Sequence, residues 1–167
     1  VLLPRVLALG KFVTTDEPKW LNRSGNFYSA LARRNPADTY HKEHPGQPII
    51  GTEMGSTVTT RGIYEKDTII GYLPDKDVTA PWWASTAEKW WTLAAENKYW
   101  LGGYIWTGFD YRGEPTPFEW PNINSHFGVM DVCGFPKNLY YYYQSWWTEK
   151  DVLHILPHWN WPGKTGS

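Results

Sequence analysis

One carboxylate stands apart in the segment PIIGTEMGST, which runs from Pro48 to Thr57. Glu53 comes after a Pro-Gly turn and a short apolar run, and the residues around it are small or carry hydroxyl groups. A carboxylate fixed at the end of a buried strand can act as a nucleophile or as a general acid or base. The simpler alternative is a solvated loop glutamate, and the segment by itself leaves both open.

A second set of polar residues follows the segment YWLGGYIWTGFDY, from Tyr99 to Tyr111. Its apolar run is typical of a buried parallel strand, and the run ends in polar residues that include Asp110. The next loop is rich in Pro, Gly and Asn, and it adds three more polar side chains: Asn124, Ser125 and His126.

The elements that would position these residues form a β/α unit. Ser85 and Glu88 have the spacing of a capping box, and apolar residues from Trp90 to Ala95 recur at helical spacing. This pattern predicts a helix of about fifteen residues between the two strands. The candidate residues would then lie at the carboxyl ends of the strands, where α/β barrels and open α/β sheets have their active sites.

The other segments predict further helices, a loop and one more strand. Pro36 can begin a short helix that Asn35 caps, and the polar stretch after the glutamate indicates a long loop over a site. An aromatic helix is predicted over Asn138 to Trp147, and a strand over Asp151 to Trp161. Residues 1–34 show no clear pattern.

The aromatic content is high, with 12 Trp, 11 Tyr and 6 Phe making up 17% of the chain. Aromatic rings stack on the C–H face of a pyranose while polar groups bind its hydroxyls, so this content favours a carbohydrate ligand. The alternative is a tryptophan-rich core, to which most of the individual tryptophans would belong.

The charge pattern excludes other classes of partner. Lys and Arg number 16 and Asp and Glu 17, with no basic block, which argues against a nucleic-acid partner. No apolar run is long enough to span a membrane, and the apolar residues 1–9 lack the features of a signal peptide.

The single Cys133 excludes an internal disulfide. No cofactor motif or metal-ligand spacing is evident in the sequence. A structural or activating metal ion stays an open alternative.

From about Asn35 onward the chain resembles glycoside hydrolase family 2, most closely its bacterial β-galactosidases. Three segments carry the resemblance: PIIGTEMGSTVTTRGIY, GGYIWTGFDYRGEPTPFEWPNINSHFGVMDVCGFPKNLYYYYQSWW and HILPHWNWPGK. The resemblance implies an α/β fold, in which residues 35–150 form the C-terminal portion of a (β/α)8 TIM barrel. Residues 151–167 would begin a following β-sandwich domain, and residues 1–34 would be an atypical N-terminal segment.

The resemblance also implies roles for single residues. Glu53 would end the seventh barrel strand as the nucleophile of a retaining glycosidase, which forms a covalent glycosyl-enzyme. Trp106 would end the eighth strand and stack on the sugar. Asp110, Asn124 and His126, with Ser125 beside them, would hydrogen-bond sugar hydroxyls; structural loop roles are the alternative.

The sequence predicts less specific roles for two arginines. Arg61 and Arg112 could orient carboxylates, including Glu53, through charge-assisted hydrogen bonds. Salt bridges of purely structural purpose are equally compatible with the sequence.

The family mechanism needs a second carboxylate, usually in an Asn-Glu pair, and that dipeptide does not occur in this sequence. The acid/base residue is therefore expected upstream of Val1, and the chain is expected to be a fragment whose isolated activity is doubtful. Its partners would be a carbohydrate substrate, the missing N-terminal domains and, as an option, a second copy. A periplasmic or secreted location fits the resemblance, although the chain shows no signal for either.

Terminal β-linked galactose is the leading substrate, and several alternatives stay open. A β-glucuronidase of this family would carry an Asn-x-Lys motif, which the chain lacks. A β-mannosidase remains compatible with the sequence. Outside the enzymes, the chain could be a non-catalytic carbohydrate-binding fragment or a structural remnant.

Overall fold

The structure is a computed structural model, and it describes residues 36–156. Its five regular elements are α1 (Pro36–Glu43), β1 (Ile49–Gly55), α2 (Ala87–Glu96), β2 (Trp100–Trp106) and α3 (Asn138–Trp147). These belong to two compact units. The sheet unit comprises residues 36–57 and 77–108, and the loop unit comprises residues 58–76 and 109–156. None of the helices within this described range is long and apolar enough to cross a membrane.

The sheet unit contains the predicted β/α arrangement. Strands β1 and β2 pair in parallel, with Ile49 opposite Trp100 and Gly55 opposite Trp106. Helix α2 lies between them in the chain, as parallel strands require a crossover connection. The expectation of an α/β fold is confirmed to this extent.

A small apolar core packs against the two strands. Met54 and Trp90 are completely buried. The strands come close enough around Met54 that a side chain on Gly103 would not fit, because an added Cβ would lie 2.8 Å from the methionine Cγ. Glycine at this position therefore lets β2 approach β1 over a bulky neighbour.

The start of α2 differs from the prediction. The helix has ten residues rather than about fifteen, and its N-cap is Thr86, whose side chain makes no capping bond. The carboxylate of Asp77 accepts hydrogen bonds from the backbone N–H groups of Ala87 and Glu88 instead, each at 2.8 Å. The predicted capping box is therefore wrong. The Ser85 hydroxyl donates to the Thr86 carbonyl, and the N-cap residue is Thr86 rather than Ser85.

The two other predicted helices are confirmed. Helix α1 begins at Pro36 and ends at Glu43, before the Pro-Gly turn. Helix α3 runs from Asn138 to Trp147, as predicted. An aspartate from the long loop stabilises the start of α3: Asp75 accepts the Asn138 backbone N–H at 3.2 Å and the Asn138 amide at 2.6 Å.

The remaining predictions have mixed outcomes. Residues 56–86 contain no helix or strand, which confirms the long loop. Residues 151–156 also lack regular structure, so the strand predicted from Asp151 is wrong over this range, where most side chains are exposed. The rest of that strand, the predicted cap Asn35 and the segment 1–34 lie outside the described residues.

Candidate functional site

In the sheet unit, Glu53 and Trp106 lie at the carboxyl ends of neighbouring strands. Glu53 is partly buried and stands two residues before the last residue of β1, Gly55. Gly55 in turn pairs with Trp106, the last residue of β2, which is 36% exposed. The two residues predicted to act on one sugar are therefore at the same edge of the sheet.

The backbone turns sharply after Glu53. Gly55 and Ser56 have φ angles of 83° and 61°, in the left-handed region. Glycine adopts this conformation without penalty, whereas serine does so at some cost. The peptide bond after Trp106 is cis.

The loop unit contains a pocket of about 150 Å³ that brings together the other predicted residues. Asp110, Asn124, Ser125 and His126 all line it, although they are separated in the sequence by up to sixteen positions. The other lining residues are Thr60, Ile70, Gly71, Tyr72, Tyr111, Asn122, Ile123, Asp131 and Val132.

Asp110 is held by a lysine that the sequence analysis did not single out. One carboxylate oxygen, Oδ1, accepts hydrogen bonds from the Lys137 ammonium and the Gly128 N–H, both at 2.8 Å. Burial raises the pKa of Asp110, and the Lys137 charge opposes this effect. Burial lowers the pKa of Lys137, and the Asp110 charge opposes that.

His126 is buried and uncharged near neutral pH. Its Nδ1 atom lies 3.1 Å from the Thr60 hydroxyl oxygen, which also accepts the Leu73 N–H at 3.0 Å. Burial, together with the charge of Lys137, lowers the pKa of His126 to about 4. The imidazole therefore offers one donor and one acceptor rather than a positive charge.

The two arginines have structural partners. Arg61 donates to Asp131 at 2.6 Å, which confirms the salt-bridge alternative for this residue. Arg112 donates to the side-chain carbonyl of Asn124 and so contacts an amide rather than a carboxylate. Burial acts to raise the pKa of Asp131, but hydrogen bonds from the Phe135 N–H and from Arg61 hold it below its usual range.

The sequence did not predict a role for three residues that line the pocket or hold a lining residue: Lys137, Thr60 and Asp131. Lys137 precedes an aromatic helix, and nothing in its neighbourhood indicates that its side chain is completely buried. Thr60 and Asp131 reach the pocket through loops, which have no hydrophobic period to reveal their direction. Across residues 36–156, no group of three His, Cys, Asp or Glu side chains could hold a metal ion.

Comparison with known proteins relates the chain to glycosidases. No family model matches the sequence. The chain is 42% identical over 138 residues to the β-galactosidase BoGH2A of Bacteroides ovatus, covering 72% of this chain and 16% of that protein. It is 45% identical over 83 residues to a protein of Formosa agariphila that is provisionally named a β-glucuronidase, covering 46% of this chain and 8% of the other.

The fold is similar to that of a solved enzyme. The crystal structure of a β-glycosidase from Bacteroides vulgatus matches with a TM-score of 0.67 and 30% identity, covering 78% of this chain and 21% of that structure. The chain thus spans 16% of the β-galactosidase it matches.

Proposed function

The chain is a relative of glycoside hydrolase family 2, and we propose that it carries the nucleophile, Glu53, of a retaining glycosidase acting on terminal β-linked galactose. The observation that carries the proposal is the position of Glu53 at the carboxyl end of β1, beside the β2 end that holds Trp106. Active-site groups of α/β enzymes lie at this edge of a parallel sheet.

In the proposed reaction, the Glu53 carboxylate attacks the anomeric carbon as the bond to the leaving oxygen breaks. A covalent glycosyl-enzyme forms through an oxocarbenium-like transition state, and water then releases the sugar. The general acid/base is assigned to the remainder of the protein, because the chain matches only 16% of the B. ovatus enzyme. A substrate with a good leaving group does not need that acid for the first step.

Trp106 is proposed to stack on the sugar ring, since the residue is 36% exposed at the strand end. Asp110, Asn124 and His126 are proposed to bind sugar hydroxyls from the pocket of the loop unit.

We also propose that β1 and β2 are the seventh and eighth strands of a (β/α)8 barrel. Their parallel pairing around a helical connection supports this assignment.

Galactose is preferred over glucuronic acid as the substrate because the match to the β-galactosidase extends over 138 residues and the match to the Formosa protein over 83. A β-glucuronidase is the second candidate, since the shorter match has 45% identity.

The test is the hydrolysis of 2,4-dinitrophenyl β-D-galactopyranoside, whose leaving group needs no acid. We expect Glu53→Gln to lower the rate of dinitrophenol release at least about a thousandfold, as for other catalytic nucleophiles. The matched control is Glu65→Gln, in the exposed part of the long loop, which should retain the rate. Equal rates for the two variants would overturn the proposal, and so would a folded wild-type chain that binds galactosides without turnover.

A further inference from the structure

The pocket of the loop unit has a polar floor and an apolar mouth. Ser125 and His126 belong to its lining and are both buried. The large apolar residues of the same lining are exposed instead, and they form what we call the apolar wall: Ile70, Tyr72, Ile123 and Val132. Because exposure falls with depth in a pocket, a ligand that enters would meet the apolar wall first.

Hydrogen bonds fix the turn that presents Ile70 and Tyr72. Asp67 and Tyr72 exchange two backbone hydrogen bonds, at 3.0 and 2.7 Å. The Asp67 carboxylate accepts the N–H groups of Ile69 and Ile70 at 2.9 and 3.0 Å. Gly71 completes the turn with a φ of 83°, which glycine adopts without penalty. This half of the apolar wall therefore stands on a closed turn.

The other half of the apolar wall is held by two separate loops. The Ile123 carbonyl accepts the Gly113 N–H at 2.6 Å. Val132 lies in a turn that Asp131 closes, because its N–H donates to the Phe135 carbonyl and its carboxylate accepts the Phe135 N–H, both at 2.9 Å. Loops that are closed by their own hydrogen bonds thus bring the apolar side chains to one pocket, and the wall is formed before a ligand binds.

Two polar lining residues adjoin the apolar wall in the sequence, and both are engaged within the protein. The Asp131 carboxylate accepts from Arg61 at 2.6 Å. The side-chain carbonyl of Asn124 accepts from Arg112. These hydrogen bonds reduce the demand of the two groups for a polar ligand at the mouth of the pocket.

The size of the pocket limits what the apolar wall can contact. The volume is about 150 Å³, and an apolar cavity of about this volume holds one benzene-sized ring. Protein partners instead cover about 800 Å² of surface on each side. The pocket therefore takes one end of a small molecule, and the exposed wall faces the group attached to that end.

We infer that the apolar wall binds the aglycone of the substrate, and that this aglycone is an aryl group. The inference deepens the proposed function and rests on it for the sugar at the polar floor. An aryl β-galactoside has hydroxyl groups at one end and an apolar ring at the other, which matches the order of floor and mouth. Contact with the ring would remove the wall from water, and Tyr72 offers a flat face for stacking.

The first test compares the binding of phenyl and methyl 1-thio-β-D-galactopyranoside to the full chain by calorimetric titration. The sulfur linkage resists hydrolysis, so binding is measured without turnover. We expect the phenyl compound to bind at least about tenfold more tightly, because its ring buries apolar surface that the methyl group does not. Equal affinities would overturn the inference.

A matched pair of double variants locates this preference. Ile70→Thr with Val132→Thr should lower it to about threefold or less, and should change the affinity for the methyl compound by less than about twofold. The control is Ile155→Thr with Val78→Thr, outside the pocket lining. Ile155 is 59% exposed, as Ile70 is, and Val78 is 65% exposed against 59% for Val132. A preference that the wall variant keeps, or that the control lowers equally, would contradict the inference.

The second test does not depend on any variant folding. Carbon-13 NMR of the wild-type methyl groups should show ring-current shifts for Ile70, Ile123 and Val132 when the phenyl compound binds, and smaller shifts with the methyl compound. Shifts that are absent from these three residues, or confined to residues outside the wall such as Ile155, would overturn the inference.

Other occupants of the apolar wall would give different results. If the natural aglycone is a second sugar, lactose should bind at least as tightly as the phenyl compound. If the wall joins two copies of the chain, sedimentation velocity should show an association that Ile70→Thr with Val132→Thr abolishes. Either result would overturn the inference.

Failure of this inference can be told from failure of the proposed function, because covalent labelling of Glu53 is measured separately. Labelling of Glu53 without a preference for the phenyl compound contradicts the inference alone. A preference that the wall variant removes, without labelling of Glu53, supports the inference and contradicts the nucleophile assignment.

Discussion

Lys137 Nζ lies 2.8 Å from Asp110 Oδ1, and the lysine side chain is completely buried. A charge is removed from water at considerable cost, so its partner and its two carbonyl acceptors must replace the lost hydration. The carbonyl acceptors come from Thr59 and His126. One ammonium group thus connects three parts of the loop unit that are far apart in sequence.

Replacing this lysine should destabilise the chain strongly. Lys137→Met keeps the length of the side chain but leaves Asp110 unpaired, and we expect a loss of about 3 kcal/mol in the free energy of unfolding. Urea denaturation followed by circular dichroism measures this value. The double variant with Asp110→Asn should lose less than the sum of the two single variants, and additive losses would show that the pair is not coupled.

Asp77 should act as the cap of α2. Asp77→Ala removes the acceptor of two backbone N–H groups, and we expect it to lower the free energy of unfolding by about 1–2 kcal/mol. Ser85→Ala, at the position where the sequence predicts the cap, should change stability by less than about 0.5 kcal/mol. A larger loss for Ser85→Ala than for Asp77→Ala would contradict the observed cap.

Stability should depend on pH through His126. Its pKa is lowered from the ordinary value of 6.5 to about 4 in the folded chain. Between these two values the unfolded chain binds a proton that the folded chain does not, so stability should fall as the pH is lowered from 6.5 to about 4. The full effect is about 3 kcal/mol.

The contribution of His126 can be isolated by difference. Asp110, Asp131 and Lys137 also have shifted pKa values, and they remain in His126→Gln. Wild-type stability minus that of His126→Gln, measured by urea denaturation at each pH, should decline over the window between 6.5 and about 4. A flat difference would show that His126 is not the titrating group.

Trp106 should contribute to sugar binding through its exposed ring. Trp106→Ala should weaken the binding of methyl β-D-galactopyranoside about tenfold, from the loss of stacking and buried area. Trp82 is 77% exposed in the same unit and serves as the control. Equal effects of Trp82→Ala and Trp106→Ala would indicate a general loss of structure rather than a lost contact.

Segments with a local apolar or aromatic pattern were the part of the fold that the sequence could predict. The apolar runs of β1 and β2 lie within the segments expected to hold strands, and the aromatic helix α3 has the expected bounds. The cap of α2 could not be predicted because its acceptor, Asp77, lies ten residues before Ala87 on a loop. A local motif such as the capping box carries no information on that contact.

The candidate site residues likewise fall into those that the sequence could predict and those that it could not. Strand ends and family motifs pointed to Glu53 and Trp106, and the loop after β2 pointed to Asp110, Asn124 and His126. Lys137 was missed because a buried lysine is recognised only by its partners. The contact between His126 Nδ1 and the Thr60 hydroxyl joins two residues that are 66 positions apart in the sequence.

The assignment of Glu53 as the nucleophile is tested most directly by intact-mass spectrometry after incubation with a 2-deoxy-2-fluoro-β-galactoside that has a good leaving group. The fluorine slows release of the covalent intermediate, so the sugar should accumulate on the enzyme. We predict one adduct per chain, mapped to Glu53 by peptide sequencing and absent from Glu53→Gln. No adduct on a chain shown to be folded by circular dichroism, or an adduct on another residue, would contradict the account.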